Sequence, residues 1–129
     1  MLVPEITILY AGILGLMATY LGSTCGMYRA NAGISFGDGN DEELAMRMRR
    51  HLNFIENAPL ALILIALLEM QSINPWAVHG LGGAVVLGRG LHAYGFSGGV
   101  TNPIRGIGAG LTALTIVVAS IWCIVEFVI

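Results

Sequence analysis

The 23 residues from Ile6 to Tyr28 carry no charge, and about 20 apolar residues suffice for a helix to cross a bilayer. A second uncharged stretch runs from Gly106 to Val125. Two such runs in a chain of 129 residues leave little room for a water-soluble domain. Composition agrees: 56% of the residues are hydrophobic and 11% charged, where soluble domains carry about 25% charge. Low charge and high apolar content exclude a disordered chain. A formal charge of −2, with no basic run, argues against nucleic acid as a partner. The first run has no basic segment before it and is too long for the core of a signal peptide, so it reads as a retained helix.

Punctuation defines two further helices. Gly37-Asp38-Gly39-Asn40 is a turn cluster, and Asn40 with Glu43 three residues on resembles a capping box. The helix opening there carries Arg47, Arg49 and Arg50, then turns apolar from Leu52 to Leu68 except at Asn53, Glu56 and Asn57. Asn74-Pro75 and Asn102-Pro103 each set an N-capping side chain before a proline suited to a first turn. A Gly98-Gly99 turn separates the helices that follow. The spacing predicts one domain spanning the chain, an all-α integral membrane four-helix up-down bundle, with helices over about residues 4–30, 41–71, 75–96 and 103–128.

The chain has six arginines and no lysine. Alternating crossings put Arg29, Arg47, Arg49, Arg50, Arg89 and Arg105 at one membrane face. The positive-inside rule makes that face cytoplasmic and both termini non-cytoplasmic, and a bacterial inner membrane is the expected location. Cys25 and Cys123 then lie about 30 Å apart in depth, too far for a disulfide within the chain. Three separated histidines form no metal-ligand spacing, so no metal is expected. The glycine-rich stretches lie within spans and follow no strand. They read as helix-packing surfaces at Gly22/Gly26, Gly95/Gly99 and Gly106/Gly110 rather than as a nucleotide loop.

Arg49, Asn53 and Glu56 recur at intervals of four and three, so they share one stripe of the second helix. The stripe rises about 10 Å, near the length of an extended tripeptide. Polar groups of this kind facing lipid are costly and are expected to face the bundle or a neighbouring subunit. Arg89 and His92 from the third helix, Arg105 from the fourth and Arg29 from the first converge at the same depth. Gathered guanidinium groups suit bidentate capture of carboxylate or phosphate, and a thiol bound among them ionises more readily.

The stretch MRMRRHLNFIENAP, Met46 to Pro59, resembles the hallmark of the MAPEG family, the membrane-associated proteins in eicosanoid and glutathione metabolism. Arg49, Asn53, Glu56 and Pro59 meet its pattern, and RRHLNFIEN is especially similar to the microsomal glutathione transferase branch. A second block, GRGLHAYGF followed by NPIRG, resembles the prostaglandin E synthase branch at Arg89, His92 and Arg105. The FGDGN loop resembles short bacterial members.

The resemblance implies a homotrimer in which glutathione, as co-substrate, lies in a cytoplasmic-side cleft between subunits. Arg29, Arg49, Asn53, Glu56, Arg89, His92 and Tyr94 would contact it, and Arg105 would stabilise its thiolate. Phe96 stands where the synthase branch has a tyrosine, Gly106 where it has a serine, and Asn57 where some members have a tyrosine. Glutathione contact is therefore expected and eicosanoid synthesis is not.

The expected activity is a glutathione-dependent transferase or peroxidase acting on a lipophilic electrophile from the bilayer. Two other functions stay open. The first is non-catalytic lipid binding, as in the family's lipoxygenase-activating member. The second is a small multidrug exporter, although such a carrier is expected to hold an acid in mid first helix, where this chain has only Glu5 at the mouth.

Overall fold

The computed structural model describes residues 3–96 and 102–129. The expected Gly98-Gly99 turn lies outside them. Four helices make up the fold: α1 (Glu5–Asn31), α2 (Glu42–Met70), α3 (Pro75–Gly95) and α4 (Pro103–Val128). α2 and α3 form the centre, each packing on the other and on both remaining helices.

Each helix buries a narrow stripe. Phe54, Ala58, Ala61, Ile65 and Leu68 of α2 recur at steps of four and three, as do Val78, Gly82, Val85, Arg89 and His92 of α3. Gly108, Thr112, Thr115 and Ala119 repeat the pattern on α4. Alternating steps of three and four form the narrow seam of left-handed helix packing. The rest of each helix faces outward and is largely apolar: Leu16, Tyr20, Leu60, Ile63, Leu114 and Ile121 are all exposed.

Three helices, α1, α2 and α4, are long and apolar enough to cross a membrane, yet only 17%, 28% and 17% of their most apolar stretches are buried. An apolar surface of this extent requires lipid rather than water. α3 has 21 residues, enough for about 31 Å of helix. Gly82, Gly88, Gly95, His79, His92 and Arg89 lower its hydropathy because it presents them to its neighbours rather than to lipid.

The ends of the helices differ in one place from the sequence expectation. The N-cap of α2 is Asp41, whose side chain accepts from Leu44 N at 2.8 Å. Asn40 takes a left-handed φ of 59°, and Glu43 turns instead to Arg47. The same loop needs left-handed backbone at Gly37 and Gly39, which glycine adopts without steric cost. Asn74 and Asn102 cap α3 and α4 through Trp76 N and Ile104 N.

α1 has no side-chain cap of its own at Pro4. Glu69, from the far end of α2, supplies one. Its carboxylate accepts from Ile6 N at 2.7 Å, Thr7 N at 2.8 Å and Thr7 Oγ1 at 2.6 Å. An acid at a helix N-terminus satisfies free N–H groups and complements the helix dipole. Nearby, Tyr10 Oη lies 2.9 Å from His79 Nδ1, joining α1 to α3. Cys25 and Cys123 are free thiols.

α3 and α4 approach most closely at glycines. A Cβ on Gly88 would lie 2.5 Å from Thr112 Oγ1, and one on Gly95 would lie 2.5 Å from Arg105 N. A Cβ on Gly108 would clash with the backbone of Gly88 and His92. The close-packing glycines are therefore Gly82, Gly88, Gly95 and Gly108, with Gly22 set against His51 (3.1 Å from a Cβ there), whereas a Cβ on Gly26, Gly106 or Gly110 would meet nothing within 4 Å among the described residues. Gly108→Val is expected to destabilise the detergent-solubilised protein by about 1–3 kcal/mol or more through overpacking. Gly106→Ala serves as the unaffected comparison in the same unfolding experiment.

Candidate functional site

Side-chain contacts between helices place the arginines at one end of the bundle. From the last turn of α1, Arg29 donates to Gly37 O at 2.7 Å and to Met48 Sδ at 3.2 Å. It therefore ties the α1–α2 loop down onto α2. Arg47 donates to Glu43 Oε1 at 2.7 Å and lies 4.8 Å from the Tyr28 ring centre. Arg105, in the first turn of α4, lies 4.9 Å from the centre of Phe96.

Arg89 lies in the buried seam toward the arginine-bearing end of α3 and is 1% exposed. Its Nε donates to Thr112 Oγ1 at 2.9 Å, and its Nη1 donates to Asn53 Oδ1 at 2.7 Å and to Asn53 O at 3.3 Å. One guanidinium thus joins α2, α3 and α4. Gly88 makes room for Thr112 beside it. With Nε and Nη1 engaged in this way, Arg89 holds Asn53 in place. The motif's equal treatment of Arg89 and the other site residues gave no sign of this.

The three members of the α2 stripe divide accordingly. Asn53 is half-buried, with its carbonyl oxygen turned inward to Arg89. Arg49 and Glu56 are exposed on the outside of the bundle. Arg49 borders a hollow of about 330 Å³ with Gly37, Asp38, Ala45, Met48 and Leu52. Glu56 has no hydrogen bond or ion pair among the described residues. It sits fourteen residues from either end of a membrane-length helix, where lipid contact costs an acid about 2.5–3.5 kcal/mol. Three residues on, Pro59 lies within the continuous helix and removes the hydrogen bond to Ile55 O.

His92 is buried against Phe96, with ring centres 5.0 Å apart. Phe96 is thus packed between His92 and Arg105. Tyr94 is 68% exposed and takes no part in this packing. Phe96 also closes a polar cleft of about 270 Å³ with Glu43, Met46, Arg47 and Arg50. Arg47 and Arg50 were not expected as site residues. Their only sequence signal is recurrence with Glu43 at steps of four and three on one face of α2. Among the described residues, no group of three or more His, Cys, Asp or Glu side chains could hold a metal ion.

The geometry defines a class: a multi-pass helical membrane protein, with its arginines gathered at one end and a polar stripe on the outer face of its second helix. The chain belongs to the MAPEG family, whose defining pattern matches residues 7–125. It is 32% identical over 91 residues to the inner membrane protein YecN of Escherichia coli (strain K12), covering 70% of each chain. The YecN protein of a second strain, Escherichia coli O6:H1, matches to the same extent. Like that relative, this is a protein of the inner membrane.

Thr112→Val deprives Arg89 Nε of its acceptor at nearly constant volume. It is expected to lower stability by about 1.5–3 kcal/mol, the worth of a hydrogen bond to a charged group. Adding Arg89→Met should recover part of the loss, because a buried charge without partners costs more than an apolar side chain. Equilibrium unfolding of both variants in mixed micelles measures the difference.

Proposed function

We propose that the protein is a glutathione-dependent transferase or peroxidase acting on lipophilic electrophiles, assembled as a homotrimer with its site between subunits. The observation that carries this reading is the outward position of Arg49 and Glu56 on a membrane-length helix, with no ion pair for either among the described residues. Such groups need cover from another subunit and from a ligand with complementary charge. Glutathione has both: two carboxylates suit Arg49 and a neighbouring cation, and its ammonium group suits Glu56. Asn53, fixed by Arg89 through its oxygen, keeps its amide N–H groups for the peptide. Many members of the family use glutathione.

Arg105 has the catalytic role in this reading. Its guanidinium lies over Phe96 at the arginine-bearing end. There it stabilises a thiolate electrostatically and so favours the nucleophilic form. Arg29 and His92 act by position, Arg29 through the loop and His92 through Phe96, and Tyr94 contributes from the outer surface. The thiolate attacks an electrophilic carbon to form a thioether, either expelling a leaving group as its anion or adding to an activated double bond that then takes a proton from water. Alternatively it attacks the outer oxygen of a lipid hydroperoxide, breaking the O–O bond to release the alcohol and leave glutathione sulfenic acid, which a second glutathione converts to the disulfide and water. The positive-inside rule puts this end at the cytoplasm and both termini opposite.

Phe96 favours a second reading. It replaces a hydroxyl-bearing side chain with a ring buried beneath Arg105, which suits lipid binding without catalysis. The two readings separate in one experiment. Glutathione titrated into the detergent-solubilised protein is expected to raise its melting temperature and to produce thiolate absorbance in the ultraviolet. Arg105→Ala should abolish the absorbance and lower conjugation of a model electrophile by about 10²–10³-fold, while keeping part of the thermal stabilisation. Absence of glutathione binding to the wild-type protein would defeat the enzyme reading.

A further inference from the structure

The outward stripe occupies one side of α2. Glu43, Arg47 and Arg50 occupy another, because Arg50 lies about 100° around the helix from Arg49. With Met46 and Phe96 they line the cleft of about 270 Å³ at the arginine-bearing end of the bundle. Glu43 is already paired with Arg47. The Arg50 charge has no carboxylate partner among the described residues. Arg50 Nε is also buried and has no hydrogen-bond partner among them. A buried donor left without an acceptor is costly, and this one belongs to a side chain that lines an open cleft.

We infer that this cleft is a second anion site, within a single subunit, that binds a phosphate group. Arg50 offers Nε and a terminal nitrogen as a fork, the geometry that matches two oxygens of one anion. Arg47 spends Nε on Glu43 and Nη1 on Thr24 O at 3.4 Å, which leaves Nη2 for the same ligand. A carboxylate has only two oxygens, and one fork uses both. A phosphate has further oxygens for the second arginine. The phosphate can come from the headgroup of an anionic phospholipid, which this end of the bundle meets at the membrane surface, or from a soluble phosphomonoester. The site is separate from the glutathione reading, since it uses a different side of α2 and none of the stripe.

The test uses the full chain, delipidated in a non-ionic detergent and titrated with dioleoyl phosphatidic acid and, separately, with inorganic phosphate. Native mass spectrometry and calorimetry read occupancy and affinity. The wild-type protein is expected to bind one phosphate-bearing ligand per chain. Arg50→Gln should weaken binding by about tenfold or more, as loss of a charge-assisted hydrogen bond implies. Arg49→Gln, on the other side of the helix, should change it less than about twofold on the same scale. Phosphatidic acid binding that inorganic phosphate does not displace identifies a headgroup site, whereas displacement by millimolar phosphate identifies a soluble ligand. Arg50→Lys keeps the charge, loses the fork and covers the case in which Arg50→Gln fails to fold; it too should bind more weakly. The inference is overturned if neither probe binds the wild-type protein, if the Arg49 and Arg50 variants weaken equally, or if both Arg50 variants keep full affinity.

Discussion

A guanidinium in the apolar seam of a membrane bundle must find its hydrogen bonds inside the protein, because the surrounding lipid offers none. Arg89 meets that condition through Thr112 and Asn53, and much of the architecture follows. α4 must come close enough to present Thr112, which requires Gly88 and Gly108 at the crossing. α2 must turn Asn53 toward the centre, which sends Glu56 and Arg49 outward on the flanking side. The outward polar stripe is thus coupled to the inward clamp. Fixing Asn53 fixes where the acid and the arginine of the motif can point.

The opposite end follows the same logic with the charges reversed. Glu69 lies one residue before the end of α2, where a helix dipole disfavours an acid. It is stabilised instead by the first N–H groups of α1. One helix's unfavourable terminus is offset by its neighbour's unsatisfied one. This exchange is available only when the two helices run in opposite directions with their ends level. The bundle is therefore pinned by polar contacts at both ends, Glu69 at one and Arg29, Arg47 and Arg89 at the other, with apolar packing between.

Much of this was legible in the sequence, and the line between the readable and the hidden is physical. The uncharged run of Ile6 to Tyr28 and the two Asn-Pro pairs act locally, so helix number and starts could be read. Arginines near alternate helix ends let their gathering at one end of the bundle be read. What stayed hidden depends on contact between distant residues. Glu69 sits 62 residues from Thr7, and nothing in its own neighbourhood marks it as a cap for another helix. Small-residue spacing could not separate Gly108, jammed against His92, from Gly106 and Gly110, where an added Cβ would meet nothing among the described residues. Arg89 and Arg50 read alike as arginines near a membrane face, yet one has its donors engaged in the seam and the other holds a buried nitrogen with no acceptor.

α2 therefore has three polar sides at its arginine-bearing half: Asn53 inward, Arg49 and Glu56 outward, and Glu43, Arg47 and Arg50 toward the cleft by Phe96. A lipid-embedded helix cannot sustain such groups unless each has its own cover. Arg89 covers the first within the chain. The outer side calls for a neighbouring subunit and a ligand, which is why the proposed site lies between subunits. The third side is at the mouth of the bundle, where headgroups and soluble anions reach it: Arg47 has Glu43 as its partner, and Arg50, with a buried nitrogen that has none among the described residues, borders the cleft. The depth of each group along α2 then matches its cover: Arg47 and Arg50 where the helix emerges, Glu56 at mid-length where only protein or bound ligand can neutralise it.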